Sequence, residues 1–273
     1  MSSLISQVRE LEFSKADTWI AEAEFGFGFT SEEVNRLNAN SNVLEIGCGS
    51  GLLLSLLAEK YPHTSFEGIE PFGDGFNSLG DLNTFVKKSG VNIKNIRYED
   101  FKPGHKYDFI FCINVFEHLE DWRHMLSWSA KQLKPKGKLL VLCPNYSFPY
   151  ESHFKLPILI NKTITRKVFQ NYIRKFEYEN DTEKLWDSIN FVKKKEVKSF
   201  IMQSTSANKL SLFDDTSVID DIIDRILFDE TFRKRQQFVG LTALLLKRLG
   251  MLRLIKKFPN LLPYMKLIFI KNQ

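Results

Sequence analysis

The sequence of 273 residues predicts an α/β fold: a doubly wound sheet of seven strands, mostly parallel, with an antiparallel last strand. Two observations carry this prediction. Between Asn42 and Cys143, short apolar runs alternate with helical patterns of about 10–15 residues, which is typical of βαβ units. A separate apolar run at Tyr264–Lys271 adds a final strand. Because crossovers between parallel strands are right-handed, we expect helices on both faces of the sheet.

The elements follow in chain order, beginning with a helix at Ser31–Asn38 that starts on Ser-Glu-Glu. Short apolar runs predict strands at Asn42–Ile46, Ser65–Ile69, Ile93–Tyr98, Tyr107–Ile113 and Gly137–Cys143. Helical patterns between them cover Leu52–Tyr61, Gly75–Lys88 and Asp121–Leu133. Later helices are predicted at Asn161–Glu179, Thr182–Ile189, Glu196–Gln203, Ser217–Phe228 and Phe238–Phe258, with a strand at Lys209–Phe213. We interpret the chain as one domain, with a core at 40–146, a lid at 147–206 and a basic helical insertion at 214–262 before the last strand at 264–271.

Composition excludes several classes of protein. The hydrophobic content of 43%, with 14 Gly and 9 Pro, excludes a disordered or collagen-like chain. Three cysteines are too few for a disulfide scaffold and favour a reducing, cytoplasmic compartment. The N-terminal residues do not resemble a secretory signal, and the longest apolar run near the C-terminus, Phe238–Leu246, is far shorter than the roughly 20 residues of a membrane span.

The net charge of +5 is unevenly distributed. Residues 231–273 contain ten Lys/Arg and no acid, whereas the other 230 residues contain 28 basic and 33 acidic residues, a net of −5. We favour packing of the basic 231–258 helices on their own domain, with lysine stems directed outward. A peripheral contact with an anionic membrane is the alternative. Nucleic acid is not a predicted partner, because no recognised module is present and the body is acidic.

The most informative segment is a glycine-rich turn after the first strand. In VLEIGCGSG, Gly47, Gly49 and Gly51 let the chain turn sharply and approach a ligand, in the manner of a Rossmann-like fold. The carboxylate of Glu45 would repel a pyrophosphate but could accept hydrogen bonds from an ammonium group. This turn therefore favours a cationic ligand over a dinucleotide.

Acidic residues also follow the next two strands. Glu70 lies 21 residues after Gly49, at the position that binds ribose hydroxyls in Rossmann-like sheets. Asp100 follows the third strand, where an adenine amino group could meet it, and Glu99 is an equally good candidate.

Five motifs in order, VLEIGCGSG, GIEP, YEDF, YDFIFCINVFEHLED and LKPKGKLLVLCPN, extend over roughly residues 40–146. They resemble the class I S-adenosylmethionine-dependent methyltransferases of the ubiquinone/menaquinone-methyltransferase-like group. The resemblance implies S-adenosylmethionine as cofactor, with the methionine moiety at Glu45, Gly47 and Gly49, the ribose at Glu70 and the adenine at Asp100. It implies further cofactor contacts at Cys48, Gly51, Pro71, Phe101, Asn114, Val115 and His118. His118 either helps to close this site or only packs locally.

The segment PNYSFPYESHFKLP would cover the acceptor side. We expect Tyr146, Phe148 and Tyr150 to form an apolar wall and His153 to act as a general base, the alternative being a surface-loop histidine. From Pro144 onward the chain more loosely resembles bacterial members near polysaccharide and natural-product pathways. We therefore expect O-methylation of a small molecule or a sugar or glycan precursor.

No metal is predicted, because Cys48, Cys112 and Cys143 have no second ligand at zinc-site spacing. Two other functions remain open. One is a catalytically inactive cofactor-binding or scaffold protein of the same fold. The other is a membrane-peripheral methyltransferase that acts on a lipid-linked substrate. The sequence does not predict the oligomeric state.

Overall fold

The computed structural model describes residues 3–11, 13, 15–71, 80–87, 90–203, 210–215 and 262–273, with isolated positions at 220, 223, 224, 245, 248, 258 and 260. The helices are α1 Ser3–Glu10, α2 Ala16–Asn35, α3 Leu52–Lys60, α4 Gly80–Lys87, α5 Trp122–Gln132, α6 Lys162–Asn180, α7 Leu185–Ser188 and α8 Lys194–Gln203. The strands are β1 Asn42–Ile46, β2 Ser65–Ile69, β3 Asn92–Lys94, β4 Tyr107–Ile113, β5 Leu133–Pro144, β6 Tyr150–Glu151, β7 Leu156–Pro157, β8 Leu210–Asp215 and β9 Tyr264–Lys271.

Seven strands form one sheet in the order β3-β2-β1-β4-β5-β9-β8. The first five pair in parallel, and β9 is antiparallel to both of its neighbours, β5 and β8. The predicted fold class is therefore confirmed, including the antiparallel last strand. The order of the strands reverses between β1 and β4, so the carboxyl ends of these two strands flank the crevice in which α/β proteins bind ligands.

The sheet has an apolar core on each face. Successive strand residues point to opposite faces, and accordingly Phe109 and Phe111 of β4 pack with the α1–α3 side whereas Ile110 and Cys112 pack with the α5 side. A parallel strand buried on both faces is apolar throughout. This is why the continuous apolar runs in the sequence marked the central strands.

The helix predicted at Ser31–Asn38 is wrong in extent, because α2 begins fifteen residues earlier at Ala16. The glycines in Phe25–Phe29 have low helix propensity, which concealed the helix. A side chain at Gly26 would come within 2.6 Å of Leu53 on α3. The glycine thus lets α2 and α3 pack closely, and this packing outweighs the propensity.

Several other boundaries differ. The third strand is β3 at Asn92–Lys94 rather than Ile93–Tyr98, because Tyr98 lies in a turn and its hydroxyl donates to the Asp121 carbonyl oxygen. Strand β5 begins at Leu133, four residues before the predicted start. Most of the predicted helices Ser217–Phe228 and Phe238–Phe258, and with them the basic 231–258 segment, lie outside the described residues. The division into core, lid and insertion remains a prediction.

The chain after β5 forms a small layer with its own core. The β6–β7 hairpin pairs Glu151 with Leu156, and the apolar cluster includes Phe154, Trp186 and Ile173 of α6. Asn161 caps α6 by accepting from the Ile164 backbone N–H at 2.9 Å. Within the described part of the chain, none of the helices has both the length and the apolar character that crossing a bilayer requires.

Candidate functional site

The glycine turn joins β1 to α3 at the carboxyl edge of the sheet. Gly47, Gly49 and Gly51 have φ of 71°, 50° and 78°, the left-handed region that disfavours residues with a side chain. A Cβ at Gly47 would clash with the side chain of Val115, and one at Gly51 with Ile93. The turn thus needs glycine for both backbone conformation and space.

Two carboxylates face this turn. Glu70 accepts a hydrogen bond from the Gly49 backbone N–H at 2.9 Å and ties the end of β2 to the turn. Glu45 is buried, and its Oε2 has no hydrogen-bond partner. Burial, reinforced by the charge of Glu70, raises the pKa of Glu45 well above its usual range. A buried carboxylate oxygen without a donor is a site prepared for a donor-bearing ligand.

Asn83 on α4 is a site residue that the sequence analysis missed. It is buried, and its Nδ2 donates to the Gly49 carbonyl oxygen at 3.1 Å, so α4 holds the turn from the side opposite Glu70. Cys48 lies in the same turn, next to Gly68 of β2. Cys48, Cys112 and Cys143 are all buried and free, as predicted for a chain without disulfides.

The remaining predicted cofactor residues lie in the loops that follow neighbouring strands. Asn114 has φ of 55°, donates to Glu22 on α2 at 2.7 Å and keeps a buried Oδ1 without a partner. Asp100 lies exposed in the turn after β3, whereas Glu99 is paired with Arg97. The structure thus favours Asp100 over Glu99 as the available acid.

Pro71 and Phe101 lie in the loops that follow β2 and β3. Pro71 is exposed directly after Glu70. Phe101 is buried against Trp128, with ring centroids 6.3 Å apart. Their cofactor contacts, like those of the other predicted site residues, remain predictions.

A second polar group lies beyond Val115. A carboxylate oxygen of Glu117 and one ring nitrogen each of His118 and His153 lie within 4.8 Å of one another. Glu117 is fully buried, both of its oxygens have no hydrogen-bond partner, and burial raises its pKa to about 7. Burial and the neighbouring His153 lower the pKa of His118 to about 3. These three donors could hold a metal ion as well as a substrate.

His153 is held by Glu151, a buried residue that the sequence analysis quoted but gave no role. The His153 Nδ1 lies 2.7 Å from Glu151 Oε1, and Glu151 also accepts from the backbone N–H groups of His153 and Phe154. Burial lowers the pKa of His153, but the Glu151 carboxylate outweighs this and raises it to about 9. The imidazole must therefore lose one proton before its free ring nitrogen can accept another or bind a metal ion.

The three predicted acceptor-side aromatics have different surroundings. Tyr146 is buried, stacks on Phe191 with ring centroids 4.5 Å apart and donates to Glu151 at 3.2 Å. Phe148 and Tyr150 are half-buried. Tyr146 thus belongs to the core of the layer that follows β5 and supports the Glu151 network, and the predicted apolar wall remains a prediction.

The layer that follows β5, which contains the β6–β7 hairpin and α6 and which we call the lid layer, contacts the loop after β4 through Asn190. Its backbone N–H donates to the Glu117 carbonyl oxygen at 2.7 Å, and its side chain donates to the carbonyl oxygens of Phe116 and Leu119. The loop carrying Glu117 and His118 is therefore fixed by the lid layer rather than by the sheet alone.

Comparison with known proteins identifies the family. A family model described as a methyltransferase domain matches residues 23–191. The uncharacterized protein Rv1509 of Mycobacterium tuberculosis is 33% identical over 221 residues, which cover 79% of this chain and 73% of that protein. The ubiquinone biosynthesis O-methyltransferase of Saccharophagus degradans is 27% identical over 148 residues, 49% of this chain and 59% of its own.

Two solved structures share the fold. The plantazolicin methyltransferase BpumL in complex with SAH has a TM-score of 0.52 and 14% identity, covering 99% of this chain and 89% of that one. The Haemonchus contortus phosphoethanolamine N-methyltransferase 2 in complex with S-adenosyl-L-methionine has a TM-score of 0.51 and 16% identity, covering 100% and 61%. At such identities the likeness shows the fold alone. The match of the family model nevertheless confirms the predicted resemblance: the chain belongs to the methyltransferase-domain family.

Proposed function

We propose that this protein transfers a methyl group from S-adenosylmethionine to a hydroxyl group of a small molecule or of a sugar or glycan precursor. The observation that supports the cofactor is the buried Glu45 Oε2 without a hydrogen-bond partner, beside a turn whose left-handed backbone is built from glycines. An oxygen acceptor is supported by the similarity to the ubiquinone biosynthesis O-methyltransferase and by the polar group at Glu117, His118 and His153.

The residues present fit the cofactor. Glu45 would accept from the ammonium group of the methionine moiety, while Glu70, Asp100, Asn114 and Val115 would line the rest of the cleft. When bound, S-adenosylmethionine supplies an electrophilic methyl group on a sulfonium that is already a good leaving group. The protein's contribution is then to position the acceptor, exclude water and remove the acceptor's proton.

His153 is our candidate for that proton transfer. Glu151 fixes its orientation, as an acidic partner does in hydrolase triads, and the side chain remains 25% exposed and so within reach of an acceptor. We expect His153→Ala to lose turnover while S-adenosylmethionine binding is retained. Exposed His63 offers a matched control, and unchanged turnover in His153→Ala would remove this residue from the mechanism.

A thermal-shift titration with S-adenosylmethionine and its demethylated product tests the function. A ligand at 100 times its Kd should stabilise the protein by about 2.7 kcal/mol. Methyl transfer to acceptors in a cell extract, with hydroxyl and amine acceptors compared, tests the chemistry. Binding without any transfer would instead favour the cofactor-binding scaffold, and transfer to amines only would contradict an oxygen acceptor.

A further inference from the structure

We propose that Glu117, His118 and His153 form a binding site for a divalent transition-metal ion, with Ser188 and Glu151 orienting the two imidazoles. One carboxylate and two imidazoles are a donor set suited to zinc, iron, manganese, cobalt or nickel. The spacing of the cysteines predicts no metal site, but the fold brings together a loop after β4 and a hairpin more than thirty residues later.

Glu117 provides the first argument. Its side chain is fully buried, yet neither carboxylate oxygen has a hydrogen-bond partner. Burying a carboxylate without compensation costs several kcal/mol, so native structures almost always pair such a group with a donor or a cation. No hydrogen-bond donor to these oxygens lies within the part of the chain that the structure describes. A bound cation would supply it.

The hydrogen bonds of the two histidines provide the second argument. The Ser188 hydroxyl donates to the Leu185 carbonyl oxygen at 2.8 Å, so at 2.9 Å its oxygen accepts from His118 Nδ1–H. His153 Nδ1 likewise donates to Glu151. In both neutral imidazoles, the lone pair is then on Nε2. Metal-binding histidines characteristically donate their other N–H to a carboxylate or another oxygen in this way.

The charge of the buried carboxylates also favours a bound cation. The fully buried carboxylates of Glu117 and Glu151 carry two formal negative charges when ionised. A divalent ion that displaces the second proton of His153 leaves both histidines neutral and balances both charges. The three donor atoms lie up to 4.8 Å apart. Around a metal with bonds of about 2.0–2.1 Å, they would lie roughly 3.3 Å apart. Small rotations of the side chains are enough to bring them this close.

Access and vacant coordination positions suit a reactive site. The partial exposure of His153 provides an entry path, and three protein ligands leave room for at least one more. On the proposed function, on which this step alone rests, an oxygen of the acceptor takes that position and is held for methylation. With the free nitrogen of His153 bound to the ion, the ion rather than the imidazole would promote loss of the acceptor's proton. Metal binding itself does not depend on the methyl-transfer proposal.

The test uses the tag-free full-length chain after treatment with EDTA. Isothermal titration with Zn²⁺ should give one ion per chain, and Co²⁺ should produce visible absorption bands that report nitrogen and oxygen ligands. Glu117→Gln keeps the shape of the side chain and should abolish the Co²⁺ bands. Ser188→Ala leaves all three ligands in place and should weaken binding by about tenfold or more.

His63→Ala is the matched control, since it removes an exposed histidine outside the cluster and should bind the metal as the unmodified protein does. A stoichiometry well below one, or equal affinity in Glu117→Gln, would overturn the site. A parallel thermal shift with S-adenosylmethionine separates the two proposals. Stabilisation by the cofactor without binding of Zn²⁺ overturns only the metal site, and the reverse result overturns only the function.

Discussion

Glu45 is the residue whose ionisation should control cofactor binding. Burial and the charge of Glu70 raise its pKa, so ionising it costs free energy and the ligand-free protein loses stability as the pH rises through that pKa. A cationic ammonium group offsets this cost by pairing with the ionised carboxylate. We predict that S-adenosylmethionine binding releases a proton and tightens as the pH rises toward the raised pKa of Glu45. Calorimetry in buffers of different ionisation enthalpy measures both effects.

Glu45→Gln is the control for this prediction, because it keeps the shape and removes the titrating group. Hydrogen bonds to charged groups contribute about 1.5–3 kcal/mol, so the affinity should fall by about 10- to 100-fold. The release of the proton should disappear as well. Binding by the unmodified protein that is independent of pH would contradict the role of Glu45.

Gly47 should tolerate no side chain. Its φ of 71° and the position of Val115 give Gly47→Ala both backbone strain and a clash. Strain of this kind costs roughly 1–2 kcal/mol, and S-adenosylmethionine binding should be lost with it. Gly28→Ala is the matched comparison: it has open space in the interior of α2 and should stabilise by about 0.5–1 kcal/mol. Thermal unfolding of both variants checks the contrast, and equal melting temperatures would contradict it.

The helices and strands that could be predicted are those whose local sequence pattern alone determines them. The central strands were visible because burial on both faces makes them apolar, and the glycine turn because its conformation requires glycine. Helix α2 was not predicted in full, because Gly26 is needed for close packing against Leu53 of α3, a contact that the local sequence does not show.

Glu151 and His153 are only two residues apart, so their pairing could be predicted from the sequence. The burial of Glu151 depends on distant parts of the chain and could not be predicted in this way. Nor could the sequence show that His153 lies beside Glu117 and His118, since this depends on how the hairpin folds back over the sheet. Contacts that join distant elements leave no periodic pattern in the chain. The cofactor side of the cleft was therefore more predictable than the acceptor side.

The contact between lid layer and core depends on Asn190. Asn190→Ala would leave the Phe116 and Leu119 carbonyl oxygens without their donors, at a cost of about 1–3 kcal/mol each if they stay buried. We predict faster hydrogen exchange over residues 115–119. Asn180→Ala is the control, because that amide bonds only within α6, to Phe176. Unchanged exchange in Asn190→Ala would show that the loop is held without the lid.

For the whole molecule, the segregation of charge predicts a salt-dependent attraction to anionic membranes. Residues 231–273 carry ten basic and no acidic residues against a body of net −5, and Arg248 is exposed. If the basic helices pack on their own domain, as we favour, their cations still face solvent while their apolar sides do not enter a bilayer. The attraction is then purely electrostatic, with about 1 kcal/mol for each Lys or Arg near the surface.

We therefore predict that the full chain cosediments with anionic vesicles at low salt, stays in solution with neutral ones, and is released at about 1 M salt, where the Debye length is about 3 Å. Replacing Lys247, Arg248, Lys256 and Lys257 by Gln should abolish cosedimentation. Replacing the exposed Lys102, Lys131, Lys136 and Lys167 of the acidic body by Gln removes the same charge and should preserve it. Binding that survives high salt would mean that apolar side chains such as the exposed Leu245 insert into the lipid. That result would favour the lipid-linked acceptor over a freely diffusing one.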